Sequence, residues 1–239
     1  MLPSLSVMTD YARFSWTVLL PVKVLAQAKS RLTILAGDRR RELARAFASD
    51  TVVAVLACPE VAQVVVVTSD PVAGPLLAEL GAVIVADEPY APDEPRVANE
   101  AGVQDALNAA LRHGAAVAAR RWPGTGLAAL TADLPALNPD ELATALRRAA
   151  GAPARAAFVP DAAGVGTTLY AVPPGGEFRP LFGGASRARH AASGAVELDL
   201  DEMTGLRRDV DTPDDLRAAL TLGAGKFTQA AAANLFTDV

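Results

Sequence analysis

The feature that most constrains this chain is a regular alternation of short β-branched runs with longer stretches rich in Ala, Leu and Arg. WTVLLPV at 16–22 is followed by a helical pattern from Asp38 to Ala57, and then by AQVVVVTS at 62–69. A helix near 71–80, a strand AVIVAD at 82–87, a helix from about Asn99 to Arg120 and a strand GLAALTA at 126–132 continue the series. Strand, helix and strand in repetition predict a parallel sheet with helices on both faces. VVVV and GLAALTA are apolar without alternation, which is the pattern of strands covered on both sides, so they are expected at the centre.

Beyond a helix expected at 139–150, the strand-like runs shorten and crowd together: RAAFVP, TTLYAVP, AVELDL and LRRDV, separated by turns such as PPGG. An antiparallel excursion is expected there. A last helix should begin at Thr212-Pro213, because Thr is a good N-cap and Pro suits the first helical turn. There is no internal repeat. The fold class expected is therefore α/β, with a mostly parallel central sheet and a small antiparallel excursion. The domain reading takes 1–15 as a flexible N-terminal extension, 16–223 as a single domain and 224–239 as a C-terminal tail, with both ends fraying.

At 239 residues and 51% hydrophobic composition, the chain can bury the core of one such domain. Its 22 Lys and Arg against 27 Asp and Glu give a net charge of −5, so no broad basic field exists to bind nucleic acid or an anionic membrane. The single cysteine, Cys58, excludes an intramolecular disulfide or a multi-cysteine metal site and suits a reducing compartment; a place in the core is expected for it. No uncharged apolar run reaches the roughly 18 residues of a membrane span, and the first fifteen residues lack the apolar stretch of a signal peptide. A cytoplasmic location is the expectation.

In an open parallel sheet, ligands bind beyond the carboxyl ends of the strands, and four segments there carry chemistry. PVKVLAQAKSRL at 21–32 follows the first strand and puts Lys23, Lys29, Arg31 and the Ser30 hydroxyl within nine residues. Only three lysines occur in the chain, so the pairing of Lys23 with Lys29 points to polyphosphate rather than to a merely solvated loop. The GxxxxGK[ST] pattern of a P-loop is absent. LTADLP at 130–135 ends the strongest central strand, and Asp133 there either holds a hard cation or caps the turn before Pro135. In DVDTPDDL at 209–216, Asp209 and Asp211 share a face if the strand LRRDV continues through them. Asp211 is the metal candidate, whereas Asp214 and Asp215 suit the first helical turn. GVGTTL at 164–169 and FGGASRARH at 182–190 combine glycines with Thr167, Thr168, Ser186, Arg187, Arg189 and His190. Such a set complements a phosphate or carboxylate, and Ser186 serves equally as the N-cap of a short helix.

Taken together, PVKVLAQAKSRL, Asn99 opening a helix with Leu107 behind it, TADLPAL at 131–137, GTT at 166–168, FGGASRARH, SGAVEL at 193–198 and DVDTPDDL resemble one family. It is the phosphoenolpyruvate / 2-phospho-L-lactate guanylyltransferase family of coenzyme F-420 biosynthesis, in its actinobacterial form. The resemblance runs from about Trp16 to Gly223. It implies a Rossmann-like, GT-A-like nucleotidyltransferase domain that transfers GMP from GTP to phosphoenolpyruvate, giving enolpyruvyl-2-diphospho-5'-guanosine and pyrophosphate. By the same resemblance Lys23, Lys29 and Arg31 hold the triphosphate and act in catalysis, and Asn99 joins them in the GTP site. Asp133 and Asp211 hold Mg²⁺, while Thr167, Gly183 and Ser186 bind the acceptor. The chain departs from the family pattern in having Thr131-Ala132-Asp133 in place of a D-x-D pair.

Other readings stand beside this one: 2-phospho-L-lactate as acceptor, a nucleotidyltransferase acting on a sugar phosphate or molybdopterin, or a nucleotide-binding regulatory protein without turnover. An exposed sheet edge within 155–200 would allow pairing with a second copy.

Overall fold

The computed structural model describes residues 14–22, 32, 39–87, 100–152, 156–233 and 235–236, the side chains of 100–104 excepted. The first half of the chain forms the expected series: β1 (Trp16–Pro21), α1 (Arg40–Leu56), β2 (Val61–Val67), α2 (Ala73–Glu79), β3 (Val83–Val85), α3 (Glu100–Arg121), β4 (Gly126–Leu130) and α4 (Pro139–Ala150). The second half adds β5 (Ala157–Pro160), β6 (Thr167–Val172), α5 (Ser186–Ala192), β7 (Val196–Glu197), α6 (Thr204–Arg207), α7 (Pro213–Leu222) and α8 (Lys226–Ala232).

The strands form one sheet in the order β3-β2-β1-β4-β6-β5-β7. β1 is parallel to β2 and β4, and β2 to β3, while β6 runs antiparallel to both β4 and β5. The antiparallel excursion is thus one strand wide. β1 is the switch point, with the chain winding outward to β2 on one side and to β4 on the other, and the crevice beyond β1 and β4 is where this topology places a ligand.

Both faces of the sheet are covered, which is why its central strands lack polar positions. Val18, Leu20, Val64, Val66, Ala128 and Leu130 pack with Ala48, Val52, Leu142 and Leu146 of α1 and α4 on one face. Leu19, Val65, Val67 and Ala129 pack with Leu111, Ala115 and Ala118 of α3 on the other. Cys58 is buried in the first of these clusters, and burial pushes its thiol pKa up. Local chemistry sets the helix ends. The side chain of Asn138 accepts from the N–H of Asp140 with Pro139 at the first helical position, so α4 starts where its sequence directs. Thr212 and Asp215 form a reciprocal capping box at the start of α7.

Two sequence expectations are overturned. LRRDV is not a strand: Leu206 and Arg207 lie in α6, and Arg208 closes that turn by donating to Gly205 O. The guanidinium of Arg207 is drawn to the carbonyls of Pro160 and Asp161 and to the Asp201 carboxylate, which holds the segment against β5 rather than along the sheet. The chain after Gly225 does not fray but forms α8, packed on α1. Asp50 in α1 accepts from the N–H groups of Phe227 and Thr228 at 3.1 and 2.7 Å, while Arg39 donates to Ala231 O at 2.8 Å. Both ends of the short helix therefore find partners, the first in α1 and the last in Arg39 just before it. Leu32, Leu43, Phe47, Val210, Leu216, Ala219 and Ala231 form the small core beneath it. Among the described residues no helix is long and apolar enough to cross a membrane.

Candidate functional site

Because β6 is antiparallel, its first residue lies at the same sheet edge as the carboxyl ends of its neighbours. Thr131, just past β4, donates its N–H to Thr168 O, which brings the TADLP turn and the GTT segment together. The N–H of Val210 donates to Asp133 O at 3.1 Å, so the Asp209–Asp211 segment lies beside the Asp133 turn. The two proposed carboxylates thus come from adjacent segments, although not from a common strand face. The turn is held from below: Leu134 N–H donates to the Thr51 hydroxyl and Gly225 N–H to Pro135 O. Asp211 is exposed and Asp133 half-buried. Among the described residues no group of three or more His, Cys, Asp or Glu converges as a closed metal site. Two carboxylates of adjacent segments fit Mg²⁺, which takes one or two from protein and the rest of its oxygens from phosphate and water.

Thr167 is placed by an irregularity. Val159 pairs with Leu169 but Pro160 pairs with Thr167, leaving Thr168 as the extra residue of a bulge. In a regular strand Thr167 would share the face of Leu169 and Ala171. The bulge re-aims it to the face of Phe158 and Tyr170, where its hydroxyl lies 3.0 Å from His190 Nδ1. Thr168 is fully buried. The turn leading into β6 is shaped by Asp161, whose carboxylate accepts from Val165 and Gly166 N–H at 2.9 and 2.8 Å. A Cβ at Gly166 would stand 2.4 Å from that carboxylate, so a larger residue would have to push the Asp161 side chain off its two hydrogen bonds.

Gly183 and Gly184 have φ of 96° and 43°, which their neighbours would not tolerate, and they carry the chain from Phe182 to α5. This loop is fixed by a residue whose part the sequence reading missed. Asn108 of α3 is buried; its amide donates to Phe182 O and accepts from Phe182 N–H, at 3.1 and 2.9 Å. The signal is an amide on the same apolar stripe as Leu111 and Ala115. Ser186 is not the N-cap that its sequence suggested: Ala185 holds that position with no side-chain hydrogen bond, and Ser186 is the first helical residue of α5, with its side chain buried.

Arg187 and Arg189, expected to meet an anionic ligand, are engaged within the fold. Arg187 pairs in a fork with Glu197 at 2.9 and 2.7 Å and donates to Gly164 O. Arg189 donates to the carbonyls of Leu181, Phe182 and Gly183. His190 is fully buried, stacked on Tyr170 with ring centroids 4.7 Å apart and edge-on to Phe182. Burial, with the neighbouring Arg189 charge, pushes its pKa down to about 4, so the ring is neutral at neutral pH and is not itself an anion-binding cation.

Lys23, Lys29, Arg31 and Asn99 lie outside the described residues. Val22, the last described residue before Lys23, donates its N–H to Val67 O at the carboxyl end of β1. A second concavity, an open cavity of about 390 Å³ beyond β2, is lined by Thr68, Ser69, Asp70 and Ile84 among others. It arises where Asp70 caps α2 by accepting from Val72 and Ala73 N–H.

This architecture, with its site at the carboxyl edge of a mostly parallel sheet, defines a nucleotidyltransferase-like α/β protein. Two solved structures share the fold. One, from Desulfovibrio desulfuricans and assigned as a nucleotide-diphospho-sugar transferase, matches with a TM-score of 0.56 at 16% identity over 87% of this chain and 96% of that one. The other, a nucleotidyl transferase from Methanothermobacter, matches at 0.50 and 19% over 87% and 97%. No family model matches the chain. Curated relatives do: the phosphoenolpyruvate guanylyltransferase of Streptomyces coelicolor is 56% identical over 92% of this chain and 97% of its own length. That of Streptomyces avermitilis is 57% identical over 92% and 95%. The chain belongs to the phosphoenolpyruvate guanylyltransferase family.

Proposed function

We propose that this protein transfers GMP from GTP to the phosphate of phosphoenolpyruvate, with Mg²⁺ as its metal, and so serves coenzyme F-420 biosynthesis. The observation that carries the reading is identity above one half to phosphoenolpyruvate guanylyltransferases over nine-tenths of the chain. Its support in the fold is the single sheet edge shared by Asp133, Thr167 and Val22 at the carboxyl end of β1.

A non-bridging phosphate oxygen of the acceptor attacks the α-phosphorus of GTP. The bond from that phosphorus to the bridging oxygen of the β-phosphate breaks, and pyrophosphate leaves with the electron pair. The attacking oxygen is already ionised, so no general base is required, and the neutral His190 is consistent with that. Catalysis consists of aligning two anions and stabilising charge on the leaving group. Lys23, Lys29 and Arg31 take the triphosphate, with Asn99 beside the nucleotide. Thr167, Ser186 and the backbone at Gly183 hold the acceptor. Asp133 and Asp211 hold Mg²⁺, which when bound neutralises phosphate charge and polarises the reacting phosphoryl group.

The test is incubation of the purified chain with Mg²⁺ and GTP, offered phosphoenolpyruvate or 2-phospholactate in parallel, with pyrophosphate release and product mass as readouts. A GMP adduct of phosphoenolpyruvate is expected. An adduct of 2-phospholactate alone reassigns the acceptor, and product only with other nucleotides or sugar phosphates removes the reading. GTP binding without pyrophosphate release from any pair would indicate a regulatory protein.

A further inference from the structure

We propose that His190 is a positioning residue that fixes the Thr167 hydroxyl as a hydrogen-bond donor toward an anionic oxygen of the acceptor. The proposal rests on the reading of Thr167 as an acceptor-site residue given above, and adds how its proton is directed and by what.

The backbone N–H of Leu181 can only donate, and it points at His190 Nε2 at 2.9 Å, so Nε2 carries no proton. A neutral imidazole with a bare Nε2 has its proton on Nδ1, and Nδ1 lies 3.0 Å from Thr167 Oγ1. The ring therefore donates and the hydroxyl accepts. One lone pair of Thr167 is thereby occupied, and among the described residues no other group takes the hydroxyl's own proton. What remains is an O–H at the start of β6, on the sheet edge that also carries the Asp133 turn. It suits a partner that only accepts, such as a phosphate or carboxylate oxygen.

Both ends of this relay are rigid. Turning the ring over would put Cε1–H against the Leu181 N–H and Cδ2–H against the Thr167 hydroxyl, losing both hydrogen bonds, and the ring is held between Tyr170, Phe158 and Phe182. Leu181 and Phe182 are themselves held by Arg189, through their carbonyls, and by Asn108 on Phe182. The bulge that leaves Thr168 unmatched aims Thr167 at the ring.

The first test uses the unaltered full chain. With ¹⁵N-labelled histidine, the His190 resonances should show a protonated Nδ1 and an unprotonated Nε2 at neutral pH; loss of those signals in His190→Gln separates them from His113. A protonated Nε2 overturns the proposal. The second test is kinetic. His190→Gln keeps an acceptor for Leu181 but lacks the donor at Thr167, and should raise the KM for phosphoenolpyruvate about tenfold, the worth of one hydrogen bond to a charged group, with the KM for GTP unchanged. His190→Asn, whose amide N–H can stand near Nδ1, should recover most of that loss. The double variant His190→Gln/Thr167→Val should be no worse than Thr167→Val alone, because the two side chains act as one donor. Additive losses, or equal effects on both substrates, overturn the proposal. If Thr167→Val raises the acceptor KM but His190→Gln does not, the relay is wrong and the acceptor site stands. If Thr167→Val leaves that KM unchanged, the acceptor-site reading falls, and the relay with it.

Discussion

Val210 N–H and Asp133 O are hydrogen-bonded at 3.1 Å, and this one contact sets two carboxylate-bearing segments side by side although 77 positions separate them in sequence. The strand expected to put Asp209 and Asp211 on one face does not form, and Asp211 lies beside the Asp133 turn in an irregular segment tied down by its neighbour Val210.

If Asp133 holds the metal, Asp133→Asn should lower turnover at least about a hundredfold, because the carboxylate charge is lost without loss of volume. Its N-terminal neighbours are undisturbed, so the thermal transition should stay within a few degrees of the parent. Chelation of divalent ions should stop the unaltered protein, with recovery on adding Mg²⁺. Steady-state pyrophosphate release and thermal denaturation check this; near-normal turnover in Asp133→Asn would remove the assignment.

Ser186→Ala should raise the KM for phosphoenolpyruvate several-fold while sparing that for GTP, since a single hydroxyl contact contributes about 1 kcal/mol. An effect confined to GTP would put α5 on the other ligand.

His190 gives acid sensitivity with a defined sign. Its pKa is about 4 in the folded chain against 6.5 unfolded, so the unfolded state takes up the proton first as pH falls. Stability from this group is complete above about pH 6.5 and is lost progressively as pH drops through 4, by about 3 kcal/mol in full. Urea denaturation between pH 7 and 4 should show a steeper decline for the parent than for His190→Gln. Parallel slopes would mean that the ring is not held neutral.

Asp50→Ala should cost about 2 kcal/mol in global stability, because the buried N–H groups of Phe227 and Thr228 lose their acceptor. Amide exchange should rise first in α8 and then in the Leu134–Pro135 turn, to which Gly225 is hydrogen-bonded. Unaltered exchange in α8 would show that the helix is held by apolar packing alone.

Gly166→Ala should be disruptive despite its small size. The added methyl would collide with the Asp161 carboxylate that closes the turn before Thr167. A loss of about 1–3 kcal/mol and a raised acceptor KM are expected from denaturation and kinetics.

Local physics explains what could be read from the residues alone. Continuous apolar runs at 64–67 and 126–130 demand two covered faces, and alternate with helical stretches, so a largely parallel sheet follows. Asn138-Pro139 and Thr212-Pro213 cap helices through atoms a few residues away, which is why α4 and α7 begin where their sequences direct. The segments at the strand ends were legible for the same reason: TADLP, GTT and FGGAS are short, and each sits after or before a recognisable element.

Long-range partners decided the rest. Arg187 and Arg189 read as ligand-binding cations until Glu197 and the carbonyls of 181–183 are brought to them by the sheet. LRRDV has strand-like composition, yet Arg207 finds its partners across β5 and the segment turns into α6. A polyalanine tail gives no sign of order, and α8 exists because Asp50 and Arg39 supply the acceptors and donors its ends lack. Thr167 and Thr168 are alike in sequence and both are buried, and only the register shift opposite Pro160 turns the first toward His190. Capping and strand patterning depend on neighbours along the chain and are therefore written in it. Hydrogen-bond partners separated by tens of residues become neighbours only when the sheet has assembled, and that is where the orientation of the site was decided.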